Sequence, residues 1–340
     1  YDVALDTSRR RSRLVFSRHT ANLLPLYGRS KGTGHPGLVF FNRGAEPLVF
    51  DPLHRADRKK NAHMLILGPT GAGKSALLVY LLQQMAALYR PRLFIIEAGG
   101  SFSLLGQQFR AHGLTVNQVT LNPNADVSLP PFADALRVLQ KERQHHLRQD
   151  PDALADDDED LDEAGTGRDV LGEMEIAARV MITGGDERED ARMTRADRLL
   201  IRNAIFLAAK TVKAAGRDQL LTQDVVAALQ HIGHDETLPD HRRNRALEMG
   251  DGMALFCSGL AGHFFNRPGT PWPQADVTIL EMGMLAREGY EDQLTVAYIS
   301  MMSHINDLVE RHQHDARPTL VVTDEGHIIT TNPLLARYVV

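Results

Sequence analysis

Cysteine is almost absent, with Cys257 the only one in 340 residues. A lone thiol excludes an internal disulfide framework, fits a reducing compartment, and reads as a small buried residue rather than a nucleophile. Long apolar runs are missing as well. No stretch approaches the ~18 residues of a membrane span, and no secretory signal peptide opens the chain. The first residue is Tyr1 and not Met, so the chain is expected to begin inside a longer protein. Nor is there a strong excess of one charge. A net charge of -5 argues against broad, charge-driven binding to nucleic acid, although a local basic channel is compatible with it. What remains is an ordinary globular composition, 43% hydrophobic and 24% charged, with length for one large core or two modest ones.

The pattern along the chain is uneven. Arg9, Arg10, Arg11 and Arg13 form a basic stretch, and Gly32, Gly34, Pro36 and Gly37 mark a loop. The apolar runs Leu38–Phe41 and Leu48–Phe50 flank Asn42-Arg43-Gly44 and predict a β-hairpin. From residue 64 strands and helices alternate. Met64–Leu67 reads as a short buried strand, Lys74–Tyr89 as a helix with Leu77, Leu78, Leu81, Leu82, Met85 and Leu88 at helical spacing, and Leu93–Ile96 and Leu114–Leu121 as further strands. That order predicts a parallel sheet covered by helices. Residues 132–250, beyond Pro130-Pro131, carry helical signals only. Thr194 and Asp197 resemble a capping box for a helix stopped at Gly216, and another helix follows Thr222 and ends near Gly233. The acidic run Asp156–Asp160 reads as a solvated loop. Strand patterns return at Val277–Leu280 and Leu320–Val322, with a helix over Leu294–Arg311 between them. Trp272, in the loop Pro271-Trp272-Pro273, is expected to pack on its own domain.

The segment Gly68-Pro69-Thr70-Gly71-Ala72-Gly73-Lys74-Ser75 fits the phosphate-loop pattern G-x-x-x-x-G-K-[ST] at every defined position. Its glycines allow backbone angles that turn successive N–H groups inward on phosphate oxygens. Lys74 brings a positive charge to the β and γ phosphates, and Ser75 offers a hydroxyl to magnesium. The helix that starts there, through Ala76, turns its positive end to the anion. The nucleotide-contacting set is therefore Gly68 through Ala76, with ATP and Mg2+ as the expected ligands.

The run Leu320-Val321-Val322-Thr323-Asp324-Glu325 supplies the other half. An apolar strand ending in an acidic pair delivers carboxylates to the C-terminal edge of a parallel sheet, where ligands bind. Asp324 is assigned to magnesium, and Glu325 to the attacking water as general base, with Lys74 as the other catalytic group. Glu97 ends the strand before Gly99-Gly100-Ser101. It either touches the nucleotide-bound water or caps the helix starting near Ser101. Glu281, at the end of Val277–Leu280, is a weaker case of the same placement, and His327 follows the acidic pair as a packed or solvent-facing residue.

The order of these pieces resembles the ATPases of conjugative type IV secretion systems, the TraC-like branch of the FtsK/HerA P-loop superfamily. The resemblance rests on Asn61-Ala62-His63-Met64-Leu65-Ile66-Leu67 running into the phosphate loop, on Leu121-Asn122-Pro123 with Leu129-Pro130-Pro131-Phe132, and on Asp324-Glu325-Gly326-His327, where Gly326 replaces the more usual alanine. It extends from about residue 38 to the end. It implies a RecA-like α/β core with a parallel sheet, made of residues 55–131 and 251–340 and interrupted by a helical insertion at 132–250. Residues 1–54 would be the last part of an upstream domain. It further implies a hexameric motor, cytoplasmic and peripheral at the bacterial inner membrane, working with inner-membrane secretion components to power pilus assembly or substrate transfer. The alternatives are an FtsK/HerA-type translocase acting on DNA and a nucleotide-gated assembly scaffold with little hydrolysis. Family members continue beyond the acidic pair through a further strand with a polar sensor, so that sensor and the completing arginine are expected beyond Val340.

Overall fold

In a computed structural model of the chain, the described residues are 16–17, 20, 32–34, 37–42, 44–58, 62–69, 71–140, 168–269, 273–312, 315, 317–324 and 326. The basic run at 9–13, the acidic run, Trp272, Glu325 and His327 lie outside them. The chain divides into two units, residues 1–88 and 89–340.

In the first unit the expected hairpin forms. Strands β1 (Leu38–Phe41) and β2 (Pro47–Phe50) pair antiparallel, Leu38 opposite Phe50. Asn42 shapes the turn: its side-chain oxygen accepts from the amides of Gly44 and Glu46, the local bonding that makes Asn a turn residue. Helix α1 spans Lys74–Tyr89, as the apolar spacing predicts. Tyr80 on α1 stacks edge-on against Phe40 with ring centroids 5.6 Å apart and donates its hydroxyl proton to the Val39 carbonyl. Residues 62–69 form no strand, and Leu65 and Leu67 are 79% and 82% exposed. The buried strand expected at Met64–Leu67 is therefore not seen. A four-residue apolar run carries no period of its own, and its backbone becomes a strand only where a ladder receives it.

The second unit is built on a parallel sheet. Strands β3 (Arg92–Glu97), β4 (Val116–Thr120), β5 (Val277–Glu281) and β6 (Thr319–Thr323) lie in the order β4-β5-β3-β6, and every pairing is parallel. Burial follows position. From Leu93 on, β3 is buried at every residue, as a central strand covered on both faces must be, whereas the edge strands β4 and β6 are only partly buried. The N-terminal edge is fastened by Asp276, which accepts from the Thr115 amide and hydroxyl at 2.8 Å and pairs with Arg317 at 2.7 Å. Arg317 also donates to the carbonyls of Arg90 and Pro91, so one carboxylate and one guanidinium tie the starts of all four strands.

Helix α2 (Ser103–Ala111) follows β3. The described residues of 132–250 are helical wherever they are regular: 135–140 are helical, followed by α3 (Val170–Thr183), α4 (Glu187–Ala191), α5 (Arg195–Ala214), α6 (Thr222–Gly233) and α7 (Asp240–Ala254). Helix α7 runs through residue 250 and is followed by α8 (Gly259–Phe265), which the sequence pattern did not suggest. Helix α9 (Glu291–Arg311) joins the two layers. Its buried Val296, Ile299 and Ile305 belong to one apolar core that runs from Phe94, Ile96 and Leu280 of the sheet to Met181, Ile205 and Leu229 of the helices. Glu175, 1% exposed in that layer, is paired by both Arg198 and Arg202, which removes the cost of a bare buried charge.

Candidate functional site

The phosphate loop shows the backbone its glycines permit. Gly71 and Gly73 have φ of 78° and 86°, values an L side chain rarely adopts. The Ala72 amide donates to the Pro69 carbonyl at 3.1 Å, closing a turn, and Lys74 is the first residue of α1. Lys74 Nζ donates to the Pro69 carbonyl at 3.3 Å, so the ammonium folds back over the loop that leads to it. No acidic residue stands in the first turn of α1, which leaves the positive helix end uncompensated. The described residues of Gly68–Gly73 are exposed and Lys74 and Ser75 partly so. An exposed loop with positive-φ glycines, a lysine at its end and a bare helix terminus is chemically an anion cradle. Thr70 lies outside the described residues, and Ala76 is exposed in the first turn.

Within the second unit, the sheet brings three carboxylates into one row. Glu97 on β3 and Glu281 on β5 are register partners. Asp324 directly follows β6, and its amide donates to the Ile96 carbonyl at 2.9 Å. All three therefore stand at the C-terminal edge of adjacent parallel strands, where ligands of such sheets bind. Glu281 Oε1 accepts from the Gly283 amide at 2.8 Å. Gly283 is the residue that allows this: a Cβ there would lie 2.5 Å from the Ala98 carbonyl oxygen and 2.4 Å from Glu281 Oε1.

Glu97 is 1% exposed. Gly100, with φ of 68°, turns the chain back so that the Phe102 amide donates to Glu97 Oε2 at 3.1 Å. The helix-capping alternative thus holds for one oxygen, since Phe102 is the N-cap of α2 and has no capping side chain of its own. Oε1 is buried with no hydrogen-bond partner among the described residues. Burial pushes the Glu97 pKa up, the Phe102 and Ser101 amides pull it down, and the charges of Glu281 and Asp324 push it up again, leaving it raised. Sequence reasoning missed Tyr298. It is 2% exposed on α9, and its hydroxyl lies 3.4 Å from the Thr323 hydroxyl, the residue before Asp324. In the sequence it is one more apolar position of a long helix.

Among the described residues no three His, Cys, Asp or Glu side chains converge as a cage, and magnesium keeps most of its waters and needs only one or two protein oxygens beside the phosphates. Ser75 in the first unit and Asp324 in the second each carry an oxygen of that kind. Cys257 is half-buried and its thiol pKa is pushed up, by burial first and the Asp224 charge second, which keeps it protonated and unreactive.

Residues 35–123 match the FtsK/SpoIIIE family. Among solved structures, VirB4 of Thermoanaerobacter pseudethanolicus aligns with a TM-score of 0.61 at 14% identity, over 92% of this chain and 74% of that one. No curated protein sequence matches. The fold is accordingly mixed α/β of the RecA-like P-loop NTPase type, a parallel sheet with many helices. The segment that holds the phosphate loop is thus similar to the FtsK/SpoIIIE family, as the resemblance to the FtsK/HerA P-loop superfamily implies, and it is set in a fold shared with a VirB4.

Proposed function

We propose that this protein binds ATP with magnesium and hydrolyses it as the motor of a conjugative type IV secretion system. The observation that carries the reading is the phosphate loop: Gly71 and Gly73 at positive φ, Lys74 at the head of a 16-residue helix, and no acid in that helix's first turn. The loop from Gly68 to Gly73, apart from Pro69, which has no N–H, contributes amides to the phosphates, Lys74 its charge, and Ser75 and Asp324 oxygens for the metal. Magnesium, when bound, spreads the negative charge of the β and γ phosphates. Glu325 takes the proton of the attacking water, since phosphoryl transfer needs mainly positioning and a placed acceptor. Residues 55–131 and 251–340 are the proposed ATPase core, 132–250 its helical insertion and 1–54 the end of an upstream domain.

The finer reading is a hexamer, cytoplasmic and peripheral at the inner membrane, that works with secretion components during pilus assembly or substrate transfer. The fold shared with VirB4 supports it. Among the described residues no helix is long and apolar enough to cross a membrane. The FtsK/SpoIIIE match favours one other reading, a translocase acting on DNA, for which DNA would stimulate turnover.

Two variants test the chemistry. Lys74→Ala is expected to weaken nucleotide binding sharply and to cut single-turnover hydrolysis by about 10²–10³, the loss of one charge-stabilising donor, with an unchanged circular dichroism spectrum. Glu325→Gln should keep nucleotide and magnesium binding yet lose hydrolysis, because an amide accepts no proton. Wild-type turnover in Lys74→Ala would end the nucleotide reading.

A further inference from the structure

We propose that the outer face of α5 is a nucleic-acid contact, on which Arg195, Arg202, Lys210 and Lys213 follow the phosphate backbone of a DNA duplex laid along the helix, without reading its sequence. The face lies wholly within the second unit and shares no residue with the nucleotide site. The inference therefore stands apart from the ATP reading, and it names the surface that a translocase acting on DNA would use.

Helix α5 carries five cationic side chains and one carboxylate, Asp197, in a protein of net charge -5. Positions 195, 199, 202, 206, 210 and 213 recur every three or four residues and so share one face. The opposite face, with Ile201, Ile205, Ala208 and Val212, is buried in the core and fixes the helix in its layer. On the outer face Arg195, Lys210 and Lys213 are exposed, Leu199 is 52% exposed, and Phe206 is half-buried one turn from both Arg202 and Lys210. Asp197 does not neutralise it, since that carboxylate caps the helix at the Thr194 amide and pairs with Arg245. Arg198 and Arg202 share the single carboxylate of Glu175, which leaves one positive charge over. Among the described residues no ion pair engages Arg195, Lys210 or Lys213. A solvated helix face ordinarily interleaves both signs; this one does not. From Arg195 to Lys213 it runs about 27 Å at the helical rise. A duplex carries a phosphate charge every ~1.7 Å of its axis, so the cations meet phosphates wherever they fall along it. The line is also only one helix wide. Helix α4, just before it, exposes Glu187 and Glu189, which a broad anionic surface such as a bilayer would meet as well, whereas a rod along α5 can pass them.

Salt dependence reads the contact directly. The measurement, on the full chain without nucleotide, is fluorescence anisotropy of a labelled DNA duplex of about 20 base pairs between about 50 and 200 mM NaCl. Wild type is expected to bind, with log affinity falling linearly against log salt. In the double variant Lys210→Gln, Lys213→Gln that slope should shrink by about 2, close to one for each lost phosphate contact, and affinity should drop alike for two unrelated sequences. Both lysines are exposed, so the variant should melt as wild type does. Arg188→Gln removes an exposed cation from α4 instead, and should keep the wild-type slope. A wild type that binds no duplex overturns the inference, as does an unchanged slope in the lysine variant, which would place the DNA elsewhere on the chain. An equal loss in Arg188→Gln overturns it too, because the attraction would then be diffuse. Lysine-dependent binding to phosphatidylglycerol vesicles, with none to the duplex, would assign the face to a membrane and overturn it likewise. The ATP reading fails separately, through nucleotide binding by Lys74→Ala, where residues 210 and 213 are unchanged.

Discussion

Asp276 shows how much one side chain can hold. It accepts from the amide and hydroxyl of Thr115 and pairs with Arg317, which reaches Arg90 and Pro91. Burial alone would raise its pKa; the Thr115 bonds and the Arg317 charge together bring it below the usual carboxylate range. A carboxyl whose folded pKa is depressed stabilises the fold above its unfolded value, about 3.9, and that contribution is lost as pH falls through the folded pKa. Asp276→Asn should therefore cost about 1–3 kcal/mol at neutral pH, on the scale of bonds to a charged group. The gap to wild type should shrink as the pH drops below that carboxylate range. Urea titrations of both proteins at several pH values check this, and a gap that ignores pH would refute it. Neither Asp276 nor Tyr298 was legible beforehand, because each matters through partners distant in the chain. Glu97 was legible in part. Its place at a strand end was visible, whereas the bond it accepts from the Phe102 amide required the turn at Gly100.

Elements with local signals were read well. Helix α5 begins at Arg195 because Thr194 Oγ1 accepts from the Asp197 amide while the Asp197 carboxylate accepts from the Thr194 amide. Its buried Ile201, Ile205, Ala208 and Val212 follow helical spacing, and Gly216 at φ 71° lies just past its end. Thr194→Ala should cost about 1 kcal/mol, the usual worth of an N-cap, and Thr194→Ser should cost a few tenths at most. Urea midpoints at constant slope would show this; an alanine variant as stable as wild type would mean that packing alone sets the helix start. Where local signals are thin the reading failed. Residues 64–67 had hydrophobicity without a partner ladder, and α8 is seven residues, Gly259–Phe265, two of them glycines, so its apolar spacing spans too few turns to register.

For the whole molecule, the alternation of strands and helices made an α/β sheet predictable, but the lateral order β4-β5-β3-β6 was not. Periodicity shows which residues are buried, not which strands are neighbours. If the protein works as the proposed hexamer, a neighbouring subunit supplies the arginine that meets charge on the transferred phosphoryl group, worth about 10³–10⁵ in rate. Specific ATPase activity should then rise with protein concentration while nucleotide affinity stays constant. A dilution series measured by both readouts tests this, and fast turnover independent of concentration would show that one subunit carries a whole active site.

The sheet order also sets a timetable for synthesis. Strands β3 and β4 are successive in the chain but are not neighbours; β5 lies between them. Among the described residues neither has a strand to pair with until Val277 has been made, about 160 residues after Thr120, which at about 5–20 residues per second is roughly 8–30 s of translation. Over that interval the run Leu93-Phe94-Ile95-Ile96, buried throughout in the finished sheet, waits on the ribosome without its ladder. The helices from Val170 to Phe265 emerge during the wait and can form through local contacts. The nascent chain thus presents an unpaired apolar strand beside a nearly finished helical layer, a state that invites chaperone binding and ends when β5 arrives.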